Sequence, residues 1–184
     1  DIEAIRRAAE HIVDAFDADR YRTVFSTLDG EQGRDRYFMD SAEDVHCFLE
    51  ADAVDGEGRL LRPKDRAINK IGHALHDRVP AFTHFCRLPV FADTLRAIGY
   101  RDPVLWQTMY IFKQPRIGGE VRWHQDASYL RTAPASVVGF WVAIEDASRD
   151  NGCLWVQPGG HRSVLRECYE VDHATGADSM TALD

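Results

Sequence analysis

The residues of this chain that could do metal chemistry lie in the segment VRWHQDASYL, residues 121–130. His124 and Asp126 are separated by one residue, and successive side chains of a β-strand point to opposite faces. On a strand the imidazole and the carboxylate would therefore project together, with Gln125 turned away. A nitrogen and an oxygen donor side by side suit a divalent ion of intermediate hardness, such as Fe(II), Mn(II) or Zn(II).

A His-x-Asp tripeptide also occurs as a plain polar strand end that binds nothing. Three neighbouring features favour a site here: Trp123 and Tyr129 could shield the pair from water, a Gly-Gly turn precedes it, and apolar segments flank it. Binding sites are commonly built where strands end in loops. Two histidines and one carboxylate on one face of the metal are the ligands of non-haem Fe(II) oxygenases, so such a site needs a further histidine.

Helical patterns dominate the first half of the chain. Residues 2–17 carry apolar side chains at helical spacing, and residues 41–54 begin with a Ser-x-x-Asp that resembles a capping box. Residues 67–86 begin like a strand and turn helical, and residues 88–100 form an amphipathic helix pattern. Residues 28–38 are polar and contain glycine, which indicates a loop.

Strand patterns dominate the second half. Residues 102–115 alternate in a way that places aromatic side chains on one face, and residues 136–146 form a nearly continuous apolar run. Residues 153–160 form a third strand pattern that ends in a Pro-Gly-Gly turn. Helices followed by closely spaced strands predict an α+β fold, in which helices pack against an antiparallel sheet or barrel.

The bulk composition is that of an ordinary globular protein with one domain. The chain has 184 residues, of which 45% are hydrophobic and 28% charged, and its net charge is −8. The acidic charge argues against nucleic acid and membrane surfaces as partners, and we find no apolar run of about 18 residues that would span a bilayer. We expect a single domain over residues 1–184, with a helical buttress at roughly 1–100 and strands at roughly 103–184.

Two further features concern the origin of the chain. Its four cysteines are scattered without a Cys-x-x-Cys pair, which predicts reduced thiols in a cytoplasmic protein; they are Cys47, Cys86, Cys153 and Cys168. The chain starts inside a helical pattern without an initiator methionine and stops soon after a loop-like stretch. We therefore expect it to be a segment of a longer protein.

Two long segments are similar to the phytanoyl-CoA dioxygenase family. They are YIFKQPRIGGEVRWHQDASYL, residues 110–130, and VVGFWVAIEDASRDNGCLWVQPGGHRS, residues 137–163. The stretch INKIGHALHD, residues 68–77, resembles the same family. The resemblance implies a double-stranded β-helix (a cupin-like jelly roll) with helices packed on one sheet. It also implies an enzyme that uses Fe(II), 2-oxoglutarate and O₂ to hydroxylate a small organic substrate, releasing succinate and CO₂.

The resemblance also assigns residues to the site. His124 and Asp126 match the family's first two iron ligands, while Lys70, Met109 and Trp141 match positions that contact 2-oxoglutarate. A lysine ammonium can pair with a carboxylate, and Met and Trp can supply apolar walls. Without the family, Met109 and Trp141 would be ordinary core residues and Lys70 a surface lysine.

The sequence departs from the family pattern at its end. The third iron ligand and the arginine that holds the far carboxylate of 2-oxoglutarate are expected beyond residue 184. His161 matches a position that is not a ligand, and His173 lies in a polar segment without a strand around it. Two alternatives therefore stay open: a jelly-roll domain that binds without catalysis, and a cupin-type metal enzyme that does not use 2-oxoglutarate.

The substrate is not specified by the sequence. Arg116, Arg122 and Arg131 lie near the candidate site and could receive an anionic substrate, although scattered surface arginines are common. Acyl-CoA thioesters, natural products and small polar metabolites all remain open.

Overall fold

The computed structural model describes residues 1–25, 36–172, 175 and 178–183. The helices in this part of the chain are α1 (Ile2–Ala15), α2 (Arg36–Asp40), α3 (Leu75–Arg78), α4 (Pro80–Cys86) and α5 (Pro89–Ala97). The strands are β1 (Val24–Phe25), β2 (Val45–Glu50), β3 (Ile68–His73), β4 (Thr108–Ile111), β5 (Glu167–Val171) and β6 (Asp178–Ala182). The chain divides into a first unit, Asp1–Phe25 with Tyr37–Gly118, and a second unit that contains the described residues from Gly119 onward.

Helix α1 confirms the helix predicted at the start of the chain. Its buried side chains recur at helical spacing, and they are Ile5, Ala9 and Val13. At its end, the Lys64 ammonium donates hydrogen bonds to the carbonyl oxygens of Asp14 at 2.7 Å and Phe16 at 2.9 Å. Carbonyl groups in the last turn of a helix lack partners within the helix, so this contact stabilises the helix end.

A four-stranded sheet in the order β1-β2-β3-β4 forms the centre of the first unit. β1 runs parallel to β2, whereas β2 with β3 and β3 with β4 are antiparallel pairs. The central strands supply most of the fully buried large side chains, which are Phe48, Leu49, Ile68 and Ile71, joined by Leu75 of α3. Burial of these apolar side chains is the main force that holds the unit together.

The helix predicted over residues 41–54 is wrong, because residues 45–50 form β2. The predicted cap depends on Ser41, but its hydroxyl donates to the carbonyl of Phe38 at 2.5 Å and lies 2.7 Å from Nδ1 of His73. Burial, and secondarily Lys70, lowers the pKa of His73 to about 3, so its ring is neutral. Because the single hydroxyl proton of Ser41 is donated to Phe38, the His73 ring donates Nδ1–H to the Ser41 oxygen. With the capping group engaged elsewhere, pairing with β3 fixes the segment as a strand.

The strand-then-helix pattern at residues 67–86 and the helix pattern at residues 88–100 are both confirmed. β3 is followed by α3 and α4, and α5 follows directly. Prolines stand at the first position of α4 and α5, where the missing N–H costs no hydrogen bond. Gly99 follows the end of α5 by two residues. Its φ is +99°, a positive value that glycine adopts without strain.

The strands predicted at residues 136–146 and 153–160 are not formed. These residues are all described, and none belongs to a strand. Several of their large apolar side chains are exposed, namely Phe140, Trp141, Leu154, Trp155 and Val156. A strand needs a neighbouring backbone to complete its hydrogen bonds, and apolar composition alone does not supply one. In the second unit β5 and β6 pair with each other instead.

The observed helices and mostly antiparallel sheets make an α+β protein. Of the strand region predicted at 103–184, the described residues contain β4, β5 and β6. Neither sheet closes on itself within the part of the chain that the structure describes. No helix among those residues is long and apolar enough to cross a membrane. The loop predicted at 28–38 lies mostly outside the described residues, and its last part begins α2.

Candidate metal site

His124 and Asp126 approach each other in the second unit, with His124 Nε2 and Asp126 Oδ1 3.5 Å apart. They do not lie on a strand, because Asp126 begins a short 3₁₀ helix, Asp126–Ser128. Gln125 between them is nevertheless extended, with φ −107° and ψ 130°. One extended residue is enough to place its two neighbours on the same side, so the two side chains meet as the strand pattern predicts.

The imidazole of His124 is held by its other nitrogen. Nδ1 lies 2.8 Å from the carbonyl oxygen of Arg122, and because a carbonyl only accepts, Nδ1 carries the proton in this bond. In the neutral ring this leaves the lone pair on Nε2, which faces Asp126. A histidine that binds a metal is commonly fixed in this way by a bond from its second ring nitrogen.

Gln125 anchors the site from the opposite side. Its side-chain amide donates to the carbonyl of Val164 at 3.3 Å, and its side-chain oxygen accepts the N–H of Arg166 at 3.2 Å. The main-chain carbonyl of Asp126 in turn accepts the N–H groups of Tyr129 and Leu130 at 3.0 and 2.9 Å. Hydrogen bonds from the Gln125 side chain and to the Asp126 carbonyl therefore hold this backbone segment in place without a ligand.

Aromatic shielding of the pair is partial. The ring of Tyr129 meets the ring of His124 edge-on, with centroids 5.8 Å apart, and Tyr129 also packs against Tyr169 of β5. Trp123, in contrast, is 68% exposed. The side chains of His124 and Asp126 are 37% and 62% exposed, so the pair is open to solvent.

Each member of the pair shifts the pKa of the other. The hydrogen bond with Asp126 raises the pKa of His124 above its usual value, although partial burial opposes this. The same bond lowers the pKa of the Asp126 carboxyl. The ring and carboxylate thus form an ion pair when His124 is protonated, and a metal ion would replace that proton because metal ligation needs the neutral imidazole.

Gly139 completes the surroundings of Asp126 and was not singled out by the sequence. A Cβ atom added to Gly139 would lie 3.1 Å from Asp126 Oδ2. The signal was present, because a glycine inside the apolar run VVGFW often marks a close approach of another group. The partner of that approach is 13 positions away in the sequence and could not be read from the pattern.

The structure brings Lys70 and Met109 onto one sheet face in the first unit. Lys70 pairs with Ile111 across β3 and β4, and Gly72 pairs with Met109, so residues 70 and 109 project to the same side. The Met109 side chain covers Gly72, with its Cγ 3.5 Å from the position that a Cβ there would take. Met109 is 41% exposed.

Lys70 is buried, with only 5% of its surface exposed. Its ammonium nitrogen lies 5.3 Å from the ring centre of Phe48 and 5.6 Å from that of Phe38. Burial lowers the pKa of Lys70 to about 7, because removal from water disfavours the charged form. Lys70 is therefore not the surface lysine expected without the family resemblance. It is a buried amine whose charge depends on its surroundings.

The remaining candidates are dispersed. Trp141 is 51% exposed in the second unit, and His161 lies in the 3₁₀ turn Gly160–Arg162. The Arg131 guanidinium donates a hydrogen bond to Cys168 Sγ at 2.5 Å and forms an ion pair with Glu170 Oε1 at 3.5 Å. The prediction for His173 falls outside the described residues. Within the described part of the chain, no three His, Cys, Asp or Glu side chains gather at one point.

Comparison with known proteins identifies the family. A sequence model of the family "Phytanoyl-CoA dioxygenase (PhyH)" matches residues 1–180. The chain belongs to this family, which confirms the resemblance carried by its His-x-Asp segment.

Three relatives illustrate the match. "Phytanoyl-CoA dioxygenase" of Arabidopsis thaliana is 42% identical over 165 residues, 90% of this chain and 58% of that protein. "Phytanoyl-CoA dioxygenase domain-containing protein 1" of Mus musculus is 44% identical over 161 residues, 84% of this chain and 55% of that protein. The Bos taurus protein of the same name is 45% identical over 168 residues, 86% of this chain and 57% of its own length. The chain spans little more than half the length of these relatives.

Proposed function

We propose that the protein is an Fe(II)- and 2-oxoglutarate-dependent dioxygenase that hydroxylates a small organic substrate. The observation that carries the proposal is the convergence of His124 Nε2 and Asp126 Oδ1 to 3.5 Å, with the His124 ring fixed by Arg122. Membership of the phytanoyl-CoA dioxygenase family supports it independently.

The donor set fits a first-row divalent cation. Zn²⁺, as one such ion, lies about 2.0–2.2 Å from imidazole nitrogen and carboxylate oxygen, so one cation can touch two donors separated by up to about 4 Å. The pair, at 3.5 Å, lies within this limit. One imidazole and one carboxylate also form two thirds of the ligand set of non-haem Fe(II) oxygenases. His124 and Asp126 would hold the iron from one side, and no described residue is assigned as the third ligand.

Bound iron and 2-oxoglutarate supply the redox chemistry, in which O₂ converts 2-oxoglutarate to succinate and CO₂ and delivers an oxygen atom to a substrate C–H bond. The protein's own residues bind and orient. Asp126 would contribute the negative charge that a divalent cation requires, and the bond from Nδ1 of His124 to the carbonyl of Arg122 would leave Nε2 free to bind the metal.

Lys70, Met109 and Trp141 are the residues that we propose for 2-oxoglutarate. A buried amine with a pKa of about 7 gains charge when a carboxylate approaches, which makes Lys70 selective for an anion. Met109 on the same face offers an apolar surface beside it. A jelly-roll fold in one domain over residues 1–184 also belongs to this proposal.

The proposed function is tested by the fate of 2-oxoglutarate. The complete natural reading frame that contains these residues would be purified without metal and given Fe(II), 2-oxoglutarate and air, with succinate and CO₂ measured by mass spectrometry. We expect equal amounts of both products, formed only when the iron, 2-oxoglutarate and O₂ are all present.

Other outcomes would identify the alternatives. Binding of 2-oxoglutarate without any turnover would favour a non-catalytic binding domain. Metal binding without any affinity for 2-oxoglutarate would favour a cupin-type metal enzyme. Either result contradicts the proposal.

A further inference from the structure

The two oxygens of the Asp126 carboxylate have different neighbours. Oδ1 faces His124 Nε2 at 3.5 Å, whereas Oδ2 lies 3.1 Å from where a Cβ atom of residue 139 would stand. Cβ atoms essentially never come closer than 3.0 Å to another heavy atom, and a separation of 3.0–3.4 Å is tighter than nine in ten Cβ contacts. A methyl group at position 139 would therefore press on Oδ2 and require it to shift by a few tenths of an ångström.

We propose, on the basis of the proposed metal site, that Gly139 is a positioning residue for Asp126. Because residue 139 has no side chain, Oδ2 can keep its place beside it, and Oδ1 is presented towards the metal position next to His124. Gly139 touches neither metal nor substrate in this proposal. It acts only through the orientation of the Asp126 carboxylate.

The conformation of Gly139 does not require glycine. Gly118, Gly152 and Gly159 have positive φ angles, which favour glycine, but Gly139 does not. Alanine at position 139 would be compatible with the backbone. The contact with Oδ2 is thus the structural feature that a side chain at this position would disturb.

The carboxylate is the part that would yield. The main chain of Asp126 is bound through its carbonyl to the N–H groups of Tyr129 and Leu130, and Gln125 is bound to the segment at Val164 and Arg166. Rotation about the last side-chain bond of Asp126 relieves a close contact at Oδ2 at low cost. Because the two oxygens are rigidly joined, the same rotation moves Oδ1 away from its position beside His124.

The test measures metal binding rather than turnover. Co²⁺ affinity and the absorption spectrum of bound Co²⁺ would be recorded for the complete metal-free protein and its Gly139→Ala variant, with circular dichroism as a check on folding. The matched control is Gly56→Ala, since a Cβ on Gly56 meets nothing within 4 Å and its φ is not positive. We expect Gly139→Ala to bind Co²⁺ roughly 10–100-fold more weakly, the size typical of groups that orient a metal ligand, with an altered spectrum. Gly56→Ala is expected to match the wild type.

Each other outcome also decides the question. Equal Co²⁺ affinity in wild type and Gly139→Ala overturns this inference and leaves the proposed function standing. Equal loss of Co²⁺ affinity in Gly139→Ala and Gly56→Ala has the same two consequences. Failure of the wild type itself to bind metal overturns the proposed function and this inference with it. If Gly139→Ala does not fold, it is combined with Asp126→Ala: recovery of the fold supports the contact with Asp126, and continued misfolding overturns it.

Discussion

Replacement of Asp126 by alanine is expected to slow succinate formation from 2-oxoglutarate by more than about a hundredfold, beyond the 10–100-fold loss typical for residues that only orient a ligand. The variant removes one of the two donors, His124 and Asp126, that meet in the described second unit, and with it the negative charge that compensates a divalent cation. Initial rates at saturating 2-oxoglutarate and a fixed Fe(II) concentration would measure the effect. The control is Asp150→Ala, at an exposed turn in the same unit.

The His124→Ala variant sharpens the interpretation. Because the two side chains act on one ion, the double variant His124→Ala/Asp126→Ala is expected to be no slower than either single variant. Additive losses would indicate that the two residues act separately. An Asp126→Ala rate close to that of Asp150→Ala would contradict the assignment of Asp126 as a ligand.

Replacement of Lys70 by methionine is expected to stabilise the folded protein in the absence of 2-oxoglutarate. Burial lowers the pKa of Lys70 from its ordinary value of 10.5 to about 7. Below pH 7 the amine is protonated in both folded and unfolded chains, and burying that charge costs on the order of 5 kcal/mol by linkage. Methionine has a similar length and no charge, so most of this cost disappears.

The pH dependence gives the sign of the effect. Between pH 7 and about 10 the unfolded chain binds more protons at Lys70 than the folded chain does, so this lysine makes the free energy of unfolding rise with pH, by up to about 1.4 kcal/mol per pH unit. Urea denaturation of wild type and Lys70→Met at pH 6 to 9 would show the two stabilities converging as pH rises. Comparing the two proteins cancels other groups, such as Cys47, whose pKa burial raises to about 12.

Lys113→Met controls for the loss of a positive charge, because Lys113 is exposed. This variant is expected to leave both the stability and its pH dependence near those of the wild type. If Lys70→Met is destabilised at every pH, or if its stability stays parallel to that of the wild type, the buried-amine account of Lys70 is wrong. A gain in stability together with weaker 2-oxoglutarate binding would fit a residue kept for function at a cost in stability.

The elements that could be predicted are those whose signal is local. α1 and α5 follow from apolar residues at helical spacing, and the prolines at the starts of α4 and α5 mark where these helices begin. β2 could not be predicted, because the capping residue Ser41 is recruited by His73, which lies 32 positions later in the sequence. At residues 136–146 a strand was predicted and none is formed. An apolar run indicates burial, but it does not show that a neighbouring strand is available to pair with it.

The candidate site divides in the same way. The meeting of His124 and Asp126 depends on one extended residue between them, so it could be predicted from their spacing. The contact of Gly139 with Asp126 and the clamp of Gln125 on Val164 and Arg166 join distant parts of the chain and required the structure. The burial of Lys70 likewise arises from packing by Phe38 and Phe48 rather than from its own sequence context.

Anaerobic titration of Fe(II) into the complete metal-free protein tests the central claim most directly, because it measures the metal site without requiring a known substrate. The account predicts about one Fe(II) per chain for a site of this ligand class, with affinity strongly reduced in both His124→Ala and Asp126→Ala and retained in Asp150→Ala. Fe(II) binding of unchanged stoichiometry and affinity in the first two variants would contradict it.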